Sequence, residues 1–210
     1  MYRPPAFSED RLEVLQALVR AHPLGLLITA GEGGLLANPL PFLLVERDGR
    51  PLLQAHLARA NPQIEALRAA SEALVVFQGP QAYISPSWYP TKREHGKVVP
   101  TWNYVIVQAR GAPQIIDDAD WLASQIARVT DSQEGDRSEP WAVTDAPDDY
   151  IAQMKRAIIG VEIPVARFEG KWKTSQNQPA DNQAGVITGL SADGLNAMAA
   201  IVAERGAPKA

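Results

Sequence analysis

The stretch from Val98 to Arg110 constrains the fold more than any other. Strict alternation puts Thr101, Asn103, Val105, Val107 and Ala109 on one side of an extended strand and Trp102, Tyr104, Ile106 and Gln108 on the other. Neither side reads as a solvated face. A strand that is apolar on both sides is covered on both, by a helix of its own chain or by a second subunit, so a homodimer built over this strand is expected. The other apolar runs are short and punctuated by 17 prolines and 15 glycines, which suits strands joined by turns better than a helical bundle. The fold class expected is mainly β with flanking helices (α+β), about six strands closing into a small barrel.

Along the chain, Ser8 before Glu9-Asp10 reads as the N-cap of an opening helix that runs to His22-Pro23. Leu24 to Thr29, Leu35 to Val45 and Pro51 to His56 read as a three-stranded meander, with Asp48-Gly49 as a hairpin turn. A short helix follows Asn61-Pro62, and Ala73 to Phe77 is a strand broken at Gly79-Pro80. Asp117 to Thr130 and Tyr150 to Ala157 read as helices, Ile158 to Phe168 as a returning strand, and Ser191 to Arg205 as a terminal helix closed by Gly206. The acid- and proline-bearing stretch from Glu134 to Asp149 reads as an exposed linker. One domain is expected over 1–210, with 112–157 a helical excursion and 178–210 a C-terminal helical segment.

Several function classes lose support at once. No run approaches the roughly 18 apolar residues of a membrane span, and the amino end carries no apolar signal core, so a cytoplasmic location without membrane contact is expected. Cysteine is absent, which removes disulfides, thiolate nucleophiles and Cys-based metal sites. His22, His56 and His95 are scattered outside any ligand spacing, so no metal site is expected. The phosphate-loop, dinucleotide and hydrolase-elbow motifs are missing. The charge of −4 gathers no basic arm, and the helix-turn-helix imitation around Gly189-Leu190-Ser191 offers only Arg205 as a cation, so direct DNA contact is unsupported.

Chemistry concentrates in three places. Residues 83–104 interleave Tyr83, Trp88, Tyr89, Trp102 and Tyr104 with Ser85, Ser87, Thr91, Lys92, Arg93, His95, Lys97, Thr101 and Asn103. This suits a planar, anionic, heteroaromatic ligand, or aromatic packing at a barrel end. His56-Leu57-Ala58-Arg59-Ala60-Asn61-Pro62, between a strand and a helix, reads as a phosphate seat or as a polar turn capped by Asn61. Gly170 to Asn177, with Lys171, Lys173, Thr174, Ser175, Gln176 and Asn177, is a second polar run that suits a ligand or a solvated loop.

These residues also resemble a known family, the PaiB-like FMN-binding negative transcriptional regulators of the flavin-binding split-barrel superfamily. The likeness spans nearly the whole chain. It lies in Met1-Tyr2 with Pro4, Leu40-Pro41, His56 with Asn61-Pro62-Gln63, Phe77-Gln78-Gly79-Pro80 with Ala82-Tyr83-Ile84-Ser85, and Ser87-Trp88-Tyr89. It continues through Pro100-Thr101-Trp102-Asn103-Tyr104, Ile159-Gly160, and Lys173 with Ser175-Gln176-Asn177. The resemblance implies a homodimeric FMN-binding split β-barrel, with His56 and Asn61 near the flavin phosphate and Ser85, Trp88, Tyr89, Thr101 and Trp102 around the ligand. Lys173, Gln176 and Asn177 would close the site. Arg59 joins the phosphate group on its position in the turn rather than on the family pattern. Where that pattern carries histidine this chain has Pro39 and Gln108, so no role resting on those imidazoles is implied. A transcriptional regulator is the function implied first, and an FMN-dependent oxidoreductase of the flavin-reductase or small-amine-oxidase kind is the alternative.

Overall fold

The computed structural model describes residues 1–206. In chain order the elements are β1 (Ser8–Glu9), α1 (Leu12–Ala21), β2 (Leu24–Gly31), β3 (Gly34–Pro41), β4 (Leu43–Arg47), β5 (Arg50–Ala58), α2 (Gln63–Ala69), β6 (Ala73–Ile84) and α3 (Thr91–His95). Then come β7 (Thr101–Gly111), β8 (Gln114–Ile116), α4 (Ala119–Glu134), α5 (Asp148–Arg156), β9 (Ile158–Pro164), β10 (Arg167–Lys173), α6 (Ala180–Ala192) and α7 (Asn196–Gly206). The chain divides into two compact units, the first made of Met1–Leu18, Gln78–Val107 and the chain from Glu169 onward, the second of Val19–Phe77 and Gln108–Phe168.

In the first unit the strand order runs β1-β10-β7-β6, with Ser8 opposite Lys171. Helix α1 lays Leu15 over Gly170 and Leu18 over Gly79, where a Cβ would stand 2.2 Å and 2.7 Å from their methyl groups. Helices α6 and α7 pack on one another, and α6 seats Trp88 on Gly189. In the second unit β6 pairs with β2 and β2 with β3, all antiparallel, with Leu26 between Val76 and Pro39. A separate four-stranded antiparallel sheet has the order β4-β5-β9-β8. Its core-facing Leu53, Ala55, Val161 and Ile163 are fully buried. The fully buried Gln63 fastens α2 to the hairpin, donating to the Leu27 carbonyl and Thr29 and accepting from Asn38.

The mixed α+β class with antiparallel sheets stands, while several element boundaries differ from the sequence reading. Ser8 does not cap α1. It lies in β1, and Glu9 accepts the Arg11 N–H at 3.0 Å instead. The expected meander is two hairpins in different sheets, because the chain breaks at Phe42 between Pro41 and Leu43. Pro41 has no N–H for a ladder, and the buried Phe42 donates its own to Pro23 and sets its ring edge-on against Phe77. Gly79-Pro80 does not break β6, since Gly79 is where Leu18 needs room.

Ile158 to Phe168 is two strands parted at Val165-Ala166, whose N–H groups go to Pro51 and Arg110. The terminal segment is also two helices. Its turn lies at Asp193-Gly194-Leu195, with Gly194 left-handed at φ +75°, rather than at Gly189-Leu190-Ser191, and Gly206 belongs to α7. Glu134–Asp149 is largely exposed but contains a 3-10 turn at Val143–Asp145, and it lies inside the second unit. Strand β7 begins at Thr101. It buries Asn103, Val105, Val107 and Ala109, while Trp102 on the opposite face is 51% exposed.

Candidate functional site

In the second unit, β5 turns Gln54 and His56 toward α4 because residues two apart share a strand face. Helix α4 answers with Trp121, Gln125 and Arg128, which lie on one helical stripe. The contacts are Trp121 Nε1 to Glu162 at 2.8 Å, His56 Nδ1 to Gln125 Oε1 at 2.8 Å, and Arg128 to Gln54 Oε1 at 2.7 Å. Glu162, nearly fully buried on β9, accepts from Arg47 through both oxygens and from Gln54 as well. Burial alone would raise its pKa, but the hydrogen bonds from Arg47, Trp121 and Gln54 hold it below the ordinary carboxylate range.

Past the end of β5, Arg59 forms a two-pronged pair with Asp117 and also donates to the Arg156 carbonyl. Each partner stabilises the other's charge: the guanidinium is raised chiefly by its hydrogen bond to Asp117, and the carboxyl is lowered by the same bond. Asn61 Oδ1 accepts the Gln63 N–H at 2.9 Å, as a cap does. Arg59 and Asn61 share a cleft of about 400 Å³ with Arg68, Glu65 and Ile159. A larger recess of about 720 Å³ between the β2–β3 turn and α2 presents Glu32 and Glu65 with no lysine or arginine in its wall, which is the wrong sign for a phosphate.

In the first unit the aromatic window splits in two. Trp88 and the buried Tyr89 point into protein, with Trp88 lying on Gly189 and burial raising the Tyr89 pKa. Tyr83 and Trp102 stay half-exposed and meet edge to face, their ring centres 6.2 Å apart. Ser85 accepts the Ser87 N–H and so stops β6 in a 3-10 turn. Lys173, half-buried, donates to Thr101 Oγ1 and, at 2.6 Å, to the Trp102 carbonyl. Burial, with Lys171 beside it, pushes its pKa down, and no carboxylate lies within ion-pair distance of it among the described residues. Gln176 braces this loop by accepting the Thr174 N–H and donating to the Trp172 carbonyl, while Asn177 is exposed. The left-handed Ser175, at φ +63°, exchanges hydrogen bonds with the buried Asn103. Among the described residues no group of three His, Asp or Glu side chains is placed to hold a metal ion.

The sequence reading overlooked Gln54, Gln125 and Glu162. A signal existed for Glu162 and Gln125, since a lone acid inside Ile158-Ile159-Gly160-Val161-Glu162-Ile163 and a glutamine three residues after Leu122 on an apolar helix face both demand a partner.

The family described as "Putative FMN-binding domain" matches residues 1–167. The chain belongs to this family. An uncharacterized protein of Emericella nidulans is 37% identical over 248 residues, covering 100% of this chain and 99% of its own. The protease synthase and sporulation protein PAI 2 of Bacillus subtilis is 31% identical over 190 residues, covering 90% and 89%. Among solved structures, the flavocytochrome Anf3 of Azotobacter vinelandii superposes with a TM-score of 0.59 at 16% identity, over 83% of this chain and 72% of that one. The FAD and heme binding protein of Mycobacterium smegmatis gives 0.57 at 17% identity, over 79% and 73%. These two share the fold. The protein is thus an FMN-binding split-barrel protein of the family to which the sequence pointed. None of its helices among the described residues is long and apolar enough to cross a membrane.

Proposed function

We propose that the protein is a dimeric, cytosolic FMN-binding regulator of the PaiB kind that does not itself read DNA. The observation that carries the ligand assignment is Lys173, a half-buried ammonium whose hydrogen-bond partners among the described residues are the neutral acceptors Thr101 and Trp102. A buried cation without a counter-charge costs free energy that an anionic ligand offsets. FMN brings a phosphate of nearly two negative charges at neutral pH. In this reading His56 and Asn61 serve the phosphate, and Ser85, Trp88, Tyr89, Thr101, Trp102, Gln176 and Asn177 line the ligand. Arg59 contributes less, because its guanidinium already rests on Asp117. FMN supplies hydride or one-electron chemistry when bound, and the chain binds and orients it.

Two further observations support the other parts of the reading. The outer face of the β2–β3 hairpin is apolar and open, with Leu24 65%, Leu26 38% and Leu35 78% exposed, as a subunit contact would leave it in a single chain. On α7 the cation Arg205 is held by Glu9, which leaves that helix poorly equipped for phosphate backbones.

The test is a titration of FMN, with riboflavin as the ligand lacking phosphate, into wild type, His56→Ala, Arg59→Ala and Lys173→Ala. Losing a charge-assisted bond costs about 1.5–3 kcal/mol, so His56→Ala and Lys173→Ala should bind FMN about ten- to a hundredfold more weakly, with little change for riboflavin. Equal FMN affinity in all four proteins would refute the assignment. Flavin reduction by NADH under nitrogen with turnover of a second substrate would mark an oxidoreductase, and a salt-dependent gel shift would mark direct DNA contact.

A further inference from the structure

Gln125 is fully buried on the face of α4 that covers β5, and its amide nitrogen has no partner among the described residues. A leucine there would fill the space without stranding a donor. The glutamine makes one contact that leucine could not, the hydrogen bond of its Oε1 to Nδ1 of His56. The imidazole is also walled on a second side. Its cross-strand neighbour on β9 is Gly160, where a Cβ would stand 2.2 Å from the Trp121 ring, so the indole occupies the space beside His56. His56 is only half-buried, and Nε2, the other ring nitrogen, has no partner among the described residues.

We propose that Gln125 is a positioning residue for His56: its carbonyl oxygen accepts the Nδ1–H and thereby fixes which imidazole nitrogen faces α4 and which is left for a ligand. A carbonyl oxygen can only accept, so the neutral ring is held as the Nδ1–H tautomer and Nε2 carries the free lone pair. When the ring takes up a second proton, the Gln125 contact persists and Nε2–H becomes the donor that a phosphate oxygen accepts. The last step rests on the FMN reading above; the hold on the ring does not. The opposite amide rotamer would donate Nε2–H of Gln125 to His56, enforce the other tautomer and strand the oxygen instead, so the two arrangements differ in an observable.

The experiment is ¹⁵N NMR of the histidine side chains in the ligand-free protein at a pH where the ring is neutral. The chain has 3 histidines, and His56→Ala assigns the one of interest. The expected result is a protonated Nδ1 at His56 in wild type and in Gln125→Glu, whose carboxylate also accepts. Gln125→Leu and Gln125→Met should both revert toward the Nε2–H form favoured by free imidazole. An Nε2–H ring in wild type, or a tautomer indifferent to the leucine and methionine variants, would overturn the proposal without reference to any ligand. The ratio of FMN to riboflavin affinity is read alongside in His56→Ala, where it should fall by about tenfold or more. If the tautomer changes as expected while His56→Ala leaves that ratio unaltered, Gln125 positions His56 and it is the phosphate assignment that fails.

Discussion

Gly185 of α6 lies so close to Trp88 that a Cβ built on it would stand 2.0 Å from the Trp88 carbonyl oxygen. One turn along, a Cβ on Gly189 would stand 2.3 Å from the indole itself. The two glycines therefore form a seat for the residue that ends the 3-10 turn after β6. Gly185→Ala meets backbone, which cannot step aside as a side chain can, and should destabilise the protein by about 1–3 kcal/mol. A denaturant titration checks this, and a midpoint equal to wild type would show that α6 can move away from Trp88 without cost.

Glu162 gathers Arg47, Gln54 and Trp121 around one buried carboxylate. Glu162→Leu strands the Gln54 amide and the Trp121 N–H, and should cost about 3–5 kcal/mol, the range for breaking a buried pair from one side. Arg47→Ala should cost less, because Arg47 is 54% exposed and can be replaced by water while Gln54 and Trp121 still serve the carboxylate. Equal losses for the two variants, measured by chemical denaturation at pH 7, would contradict this order.

Glu9 ties the start of the chain to its last helix through Arg11 and Arg205. The hydrogen bond from Arg11 is the chief cause of its low pKa of about 2, against an ordinary 4.5. A carboxyl depressed on folding stabilises the native state fully above its unfolded pKa, and the contribution drains away as pH falls from about 4.5 toward 2. The gap is worth about 3 kcal/mol. Glu9→Gln should therefore be less stable at pH 7 and lose less on acidification, with its stability approaching that of wild type near pH 2. Parallel pH–stability curves for the two proteins would defeat the assignment.

The legible part of the fold was what alternation and punctuation encode. Strand β7 announced itself by its two apolar faces, and Asn61-Pro62 marked the start of α2. The misread parts depended on long-range partners. Phe42 breaks a continuous apolar run because its ring is needed against Phe77, and Gly79 sits inside a strand because Leu18 comes from sixty residues away to fill its missing Cβ. The site shows the same limit. Its residue types were readable, but His56 is held by Gln125 and Arg59 by Asp117. Only the packing of α4 and the chain before it on the β5 sheet makes those pairs.

The apolar face of the β2–β3 hairpin carries the last prediction. Leu24, Leu26, Ile28 and Ala30 of β2 stand opposite Pro41, Pro39, Ala37 and Leu35 of β3, and Leu74 and Val76 of β6 extend the same face, with no charged side chain among them. Three strands at about 4.8 Å spacing and eight residues at about 3.3 Å rise make a footprint of roughly 400 Å² before side-chain relief is counted. That is about half of the ~800 Å² per partner of a standard interface, and it falls within the roughly 300–600 Å² of a typical monomer's largest apolar patch, which is often functional. The prolines at 39 and 41 block strand addition along the β3 edge, so a second copy would come face to face. Leu26→Arg places a charge at the centre of this face while its backbone pairs stay intact. Wild type should scatter light as two chains at micromolar concentration and Leu26→Arg as one, with an unchanged circular dichroism spectrum. A variant that remains dimeric would move the contact to another surface, for which the half-exposed Tyr83 and Trp102 pair is the next candidate, tested by Trp102→Arg in the same way.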